Sequence, residues 1–136
     1  MTQPNTGNLA PTHGSGELIF IVDDEPMLLE LASAILEDEG YRLRTFRDPE
    51  LALQAYVAAQ PRPGLVITDY AMQPMNGMEL LEKFRQLNPS QKVLLISGTV
   101  AEDIYQGSPI QPDRFLAKPY QAHQLSQLVR ELLKKQ

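Results

Sequence analysis

Short, uninterrupted apolar runs alternate along this chain with longer stretches whose apolar residues recur at helical spacing. The runs are LIFIV at 18–22, LVIT at 65–68, VLLIS at 93–97 and the shorter RFLA at 114–117. A continuous apolar run of about five residues suits a strand covered on both faces, which is the environment of a parallel sheet. Between the runs, Pro26 opens a helix on which Leu28, Leu31, Ala32, Ile35 and Leu36 share a face until Gly40 stops it, with Asp23 or Asp24 placed to cap it. YRLRTF at 41–46 alternates as a strand with one wetter face, Asp48 and Pro49 open a second helix through Ala58, and QPRPG ends that unit. Gly77 to Leu87 predicts a third helix, Ala101 to Tyr105 a short fourth, and Tyr120 to Lys135 a last one with Leu125, Leu128, Val129 and Leu132 on one face. Residues 98–113 are the least regular part, because SPIQP, with Pro109 and Pro112, forbids a longer fourth helix.

Five strands alternating with five helices predict an α/β fold, a doubly wound five-stranded parallel sheet with right-handed crossovers and helices on both faces. A length of 136 residues fits one such domain, from Glu17 to the C-terminus. Residues 1–16, rich in Gly, Pro, Ser, Thr and Asn, predict a flexible N-terminal tail. In doubly wound sheets ligands bind outside the carboxyl ends of the strands. The residues at those ends are Asp23 and Asp24 after the first strand, Asp69 after the third, Ser97 after the fourth and Lys118 after the fifth. Taken singly, each has an ordinary explanation as a helix cap, a turn former, a local backbone partner or a solvated charge. Taken together they fall at one edge of the sheet.

Converging carboxylates repel one another unless a cation sits among them. Oxygen ligands in small number favour Mg²⁺, which keeps waters and leaves room for a phosphate oxygen. Lys118 then supplies a compact positive charge, and the Ser97 hydroxyl a donor, for a transferring phosphoryl group. Other chemistries are excluded or disfavoured. The chain has no cysteine, which removes thiolate catalysis and disulfides, and agrees with a reducing cytoplasm. Twelve basic against seventeen acidic residues, a net charge of −5, disfavour direct nucleic-acid binding, and no segment is apolar enough for a membrane span.

At these residues the chain resembles the receiver domains of two-component response regulators, over residues 17 to 135. The family pattern is an acidic pair after the first strand, D-x-x-M-P-x-M-x-G after the third, Ser or Thr after the fourth, and an aromatic followed three later by Lys-Pro. Here these are Asp23 and Asp24, Asp69 within DYAMQPMNG, Ser97, and Phe115 with Lys118 and Pro119. The resemblance implies a flavodoxin-like strand order 2-1-3-4-5. It implies that Asp69 accepts a phosphoryl group from a histidine kinase or histidine phosphotransfer protein. Asp24, Asp69 and the backbone carbonyl of Ala71 would ligate Mg²⁺, with Asp23 acting mostly through ordered water. Ser97 and Lys118 would contact the phosphoryl oxygens, and Phe115 would be a rotameric switch that alters binding of a downstream protein or forms a homodimer. Such a domain acts on itself and is not a conventional enzyme. His13 and His123 read as ordinary exposed residues.

The chain departs from the pattern at Gln73, where the family usually has proline, with Pro74 one later. A haloacid-dehalogenase-like phosphatase uses similar groups, but with D-x-D on the first strand and the acidic pair late. A receiver-like docking module that takes no phosphate is disfavoured by the complete set of site residues. With no effector domain after the last helix, the expectation is either a stand-alone regulator or one part of a longer protein.

Overall fold

The computed structural model describes residues 14–134. It contains β1 (Leu18–Val22), α1 (Pro26–Asp38), β2 (Arg42–Phe46), α2 (Pro49–Ala58), β3 (Leu65–Asp69), α3 (Gly77–Leu87), β4 (Val93–Ser97), α4 (Ala101–Tyr105), β5 (Arg114–Ala117) and α5 (Ala122–Leu132). The strands form one sheet in the order β2-β1-β3-β4-β5 with every pairing parallel. The predicted doubly wound architecture and strand order are therefore what the chain adopts. Most of the tail expected at 1–16 lies outside the described residues. Its last residues are held against the α1–β2 corner, where the Gly14 N–H donates to the Glu39 carbonyl at 2.8 Å and the Gly16 N–H to the Gly40 carbonyl at 3.2 Å.

The two faces of the sheet carry separate cores. On one, Ile19, Ile21, Ile67 and Leu94 pack against Leu29 and Leu36 of α1 and Leu125 and Val129 of α5. On the other, Phe20, Val66 and Val93 pack against Tyr56 of α2 and Leu80, Leu81 and Phe84 of α3. β3 and β4 are buried along their whole length, which is why their sequences do not alternate. β2 lies at an edge, with Arg42, Arg44 and Thr45 exposed, and its charges blunt a strand that would otherwise offer unpaired backbone.

Helix starts follow local chemistry, with two differences from the sequence expectations. The Asp48 side chain accepts from the Glu50 N–H at 2.8 Å at the head of α2. Asn76 and Glu79 exchange reciprocal bonds at the head of α3, at 2.9 and 2.8 Å. At α1 the cap residue is Glu25, without a side-chain bond of its own, and the Asp23 carboxylate instead accepts from the Glu25 N–H at 2.9 Å. Neither acidic residue is the N-cap, since the turn between β1 and α1 directs them into the crevice. The final helix starts at Ala122 and ends at Leu132, shorter than Tyr120 to Lys135, and Lys135 lies outside the described residues. The start moves because Gln121 caps with Gln124 while Tyr120 turns back onto the α1 and α5 core. α4 has only the five residues expected of it, and none of them is buried.

Candidate functional site

The parallel register carries the site. Val22 pairs with Thr68, Asp69 with Ile96, and Ser97 with Ala117, so β1, β3, β4 and β5 end in step at one edge. Asp23, Asp69, Ser97 and Lys118 stand in that row, with Asp24 beside them. The carboxylates of Asp23, Asp24 and Asp69 each place an oxygen within 4.8 Å of the others. Asp23 and Asp69 are buried, at 8% and 4% exposure, and Asp24 is half-buried. The Lys118 Nζ lies 2.6 Å from Asp69 Oδ1, and its backbone N–H donates to the Ser97 carbonyl at 2.9 Å. β4 and β5 thus hold the ammonium directly over the carboxylate that ends β3.

The crevice strains its own acids. Burial pushes the Asp23 carboxyl up to about 6; the Glu25 N–H opposes this, Asp69 and Asp24 add to it, and Lys118 opposes it. Asp69 is also raised, first by burial, with Lys118 pulling it back down and Asp24 and Glu25 adding to the rise. Anionic oxygens crowded this way, with one lysine to offset them, fit a hard divalent cation. Of the residues expected to hold a metal, the three carboxylates Asp23, Asp24 and Asp69 are therefore brought together.

Burial of Asp23 also has a stability consequence. Its folded-state value lies above the ordinary 3.8, so its contribution to stability is fully present below 3.8 and is lost as pH rises through about 6. Asp23→Asn keeps a side-chain oxygen for the Glu25 N–H and removes the charge. Without metal, this variant is expected to exceed the wild type by on the order of 1–2 kcal/mol at about pH 7 and to match it at about pH 4, measured by urea unfolding in chelator. Equal wild-type and variant stabilities at both pH values would contradict the crowding.

The remaining expected residues are placed differently. The Ser97 Oγ accepts from the Thr99 N–H at 2.9 Å, which leaves its own hydrogen to donate. Ala71 is exposed two residues past Asp69, where the chain turns back as the Met72 and Gly77 N–H groups donate to the Tyr70 carbonyl at 3.1 and 2.8 Å. Gln73 and Pro74 lie exposed at the tip of this turn. Phe115 sits half-buried on β5 with its ring 6.2 Å from that of Tyr105 in α4. His123 is exposed, and His13 lies outside the described residues.

Two residues to which the sequence reading gave no role support the site. Thr68 is fully buried and its hydroxyl donates to the Asp69 carbonyl at 2.9 Å. A hydroxyl in an otherwise apolar strand was its signal. Gly77 abuts the same carbonyl. A Cβ there would overlap the Asp69 carbonyl oxygen and lie 2.8 Å from Leu95 Cδ1. Its signal was glycine at a first helical position, where helix propensity alone favours alanine by about 1 kcal/mol. Gly77→Ala is nonetheless expected to destabilise by about 1–3 kcal/mol in denaturant unfolding, because the Asp69 carbonyl and Tyr70 Cα are backbone with little room to give, even if the Leu95 methyl moves aside. A stabilised variant would show that the contact relaxes.

The sequence profile described as response regulator receiver domain matches residues 19–130. The chain belongs to the response regulator receiver family. It is 33% identical over 123 residues to the probable transcriptional regulatory protein TcrX of Mycobacterium tuberculosis, an alignment covering 90% of this chain and 52% of that protein. It is 40% identical over 114 residues to the nitrogen assimilation regulatory protein NtrX of Azorhizobium caulinodans, covering 79% and 24% respectively. It also resembles the response regulator TrrA of Thermotoga maritima, solved in complex with Mg²⁺-BeF, with a TM-score of 0.76, 28% identity and coverage of 86% and 99%. The chain spans about half the length of TcrX and about a quarter of NtrX. Family membership sets aside the haloacid-dehalogenase reading. Among the described residues, no helix of this receiver domain is long and apolar enough to cross a membrane.

Proposed function

We propose that Asp69 of this receiver domain is phosphorylated by a histidine kinase or a histidine phosphotransfer protein. The observation that carries this reading is the Asp69 carboxylate, held 2.6 Å from the Lys118 ammonium at the strand-end crevice and crowded by Asp23 and Asp24. An Asp69 oxygen attacks the phosphorus of the donor, the new O–P bond replaces the P–N bond, and the donor imidazole leaves with the electron pair. Lys118 meets the phosphoryl oxygens, and the Ser97 hydroxyl donates to one of them. Burial of Asp69 excludes the bulk water that would compete for the donor.

Asp24, Asp69 and the Ala71 carbonyl would hold Mg²⁺, with Asp23 acting mostly through water; the ion would supply positive charge for the phosphoryl oxygens. Phe115, half-buried beside Tyr105, is the side chain that would move when Ser97 is drawn toward the phosphoryl group. The consequence is altered binding of a downstream protein or of a second copy, in the cytoplasm. The net charge of −5 directs that output to protein and away from nucleic acid. Any self-catalysed dephosphorylation would be shaped by the small, exposed Ala71 at the mouth.

Intact mass after incubation with acetyl phosphate and Mg²⁺ tests the reading. One added phosphoryl group, labile to base and lost when the metal is chelated beforehand, is expected. No mass gain, or a gain indifferent to chelator, would overturn it.

A further inference from the structure

The proline-bearing segment that shortens α4 has a second effect: it opens a groove along α3. The groove has a volume of about 250 Å³, and its lining includes Met78, Glu79 and Glu82 of α3 and, opposite, Ile104, Ser108 and Ile110. Met78 and Ile110 pack against the core beneath it, so its floor is apolar, while the α3 wall is acidic.

Both walls are tied in place. Arg85 of α3 donates to the Gln91 carbonyl at 2.7 Å and to the Gln111 carbonyl at 3.2 Å, and pairs with Asp113 at 2.8 Å. The Ser108 hydroxyl donates to the Ile110 carbonyl at 2.8 Å and accepts the Ile110 N–H at 3.2 Å. The far wall is therefore pinned to α3 by side-chain bonds and does not depend on an occupant. A preformed recess lowers the ordering cost of binding.

We propose that this groove docks a short basic segment of a partner protein, with an apolar side chain seated on Met78 and Ile110 and a cation against Glu82. Charge selects the occupant. The lining includes neither lysine nor arginine, and Glu102 and Asp103 are exposed on the adjoining α4. The same acidity disfavours a second copy of this chain, at a net charge of −5, as the occupant of this groove, and residues 1–13 carry no lysine or arginine to supply the cation. An anionic membrane surface is repelled on the same ground. The inference goes beyond the phosphoacceptor reading and stands without it, since the groove is formed in the unmodified chain.

The test is a titration of isotope-labelled protein with a short, end-blocked synthetic peptide of alternating lysine and leucine, followed by amide chemical shifts. Saturable shifts confined to residues 70, 76–82 and 104–110 are expected. Glu82→Lys should weaken binding about three- to tenfold. Glu37→Lys, an equal change of net charge on the exposed face of α1, should leave it unaltered. Both substitutions are at exposed sites, so fold loss does not confuse the comparison. Shifts that map elsewhere, absent shifts, or equal weakening by both variants would overturn the proposal.

Discussion

The Asp69→Asn chain is expected to gain no phosphoryl mass under conditions in which the wild type gains one group per molecule. The amide has the same shape as the carboxylate but lacks its charge and nucleophilicity, and no other described carboxylate is both buried and paired with Lys118. The fold should survive. Substitution removes the ion pair to Lys118, but it also removes a charge whose burial beside Asp24 is unfavourable overall, as the raised Asp69 carboxyl shows. The metal-free variant should therefore unfold at least as late as the wild type. This separates loss of chemistry from loss of structure. Phosphorylation of the variant to the wild-type extent would place the acceptor elsewhere and remove the proposed function.

Lys118→Ala should slow phosphoryl uptake about 10²- to 10³-fold, the usual cost of deleting one positioned charge donor at a developing anion. Two further readouts distinguish this from a merely structural effect. Lys118 holds the Asp69 carboxyl down against the effect of burial, so its removal lets that carboxyl rise further. The reactive carboxylate exists above that value, and the pH at which uptake sets in should move upward. Removal of the ammonium also leaves the Asp23, Asp24 and Asp69 cluster more negative, so Mg²⁺ should bind more tightly even as the reaction slows. A rate unchanged from the wild type would contradict the role. So would a slower rate with an unshifted pH profile and weaker metal binding, which would point to a distorted crevice.

The apolar runs and their helical spacers made the sheet legible, because burial on both faces requires continuous apolar strands at β3 and β4. The site was legible for the same reason. Once the sheet is doubly wound, a polar residue after each central strand must land at one edge, as Asp23, Asp69, Ser97 and Lys118 do. Helix boundaries were read less well where side chains have more than one local partner. Asp23 could cap α1 but faces the crevice, and Tyr120 could begin α5 but joins the core. Thr68 was missed, and Gly77, although it closes the DYAMQPMNG pattern, was given no role, because what each one touches is Asp69's own backbone carbonyl, which spacing alone does not show.

By itself, the sequence determined the class of the fold, the order of its elements and the set of residues at the strand ends, because periodicity and charge are properties of the chain. Tertiary structure decided how far apart those residues stand, and therefore what they can do. The 2.6 Å approach of Lys118 to Asp69 depends on two strands meeting in register on either side of β4. The rise of Asp23 to about 6 depends on burial that elements distant in sequence provide together. The groove beneath SPIQP likewise depends on contacts between distant residues, with Arg85 of α3 bonded to Gln111 and Asp113 and the Ser108 hydroxyl bonded to Ile110. Distance and desolvation are set by packing, and packing involves residues that sequence spacing does not bring together.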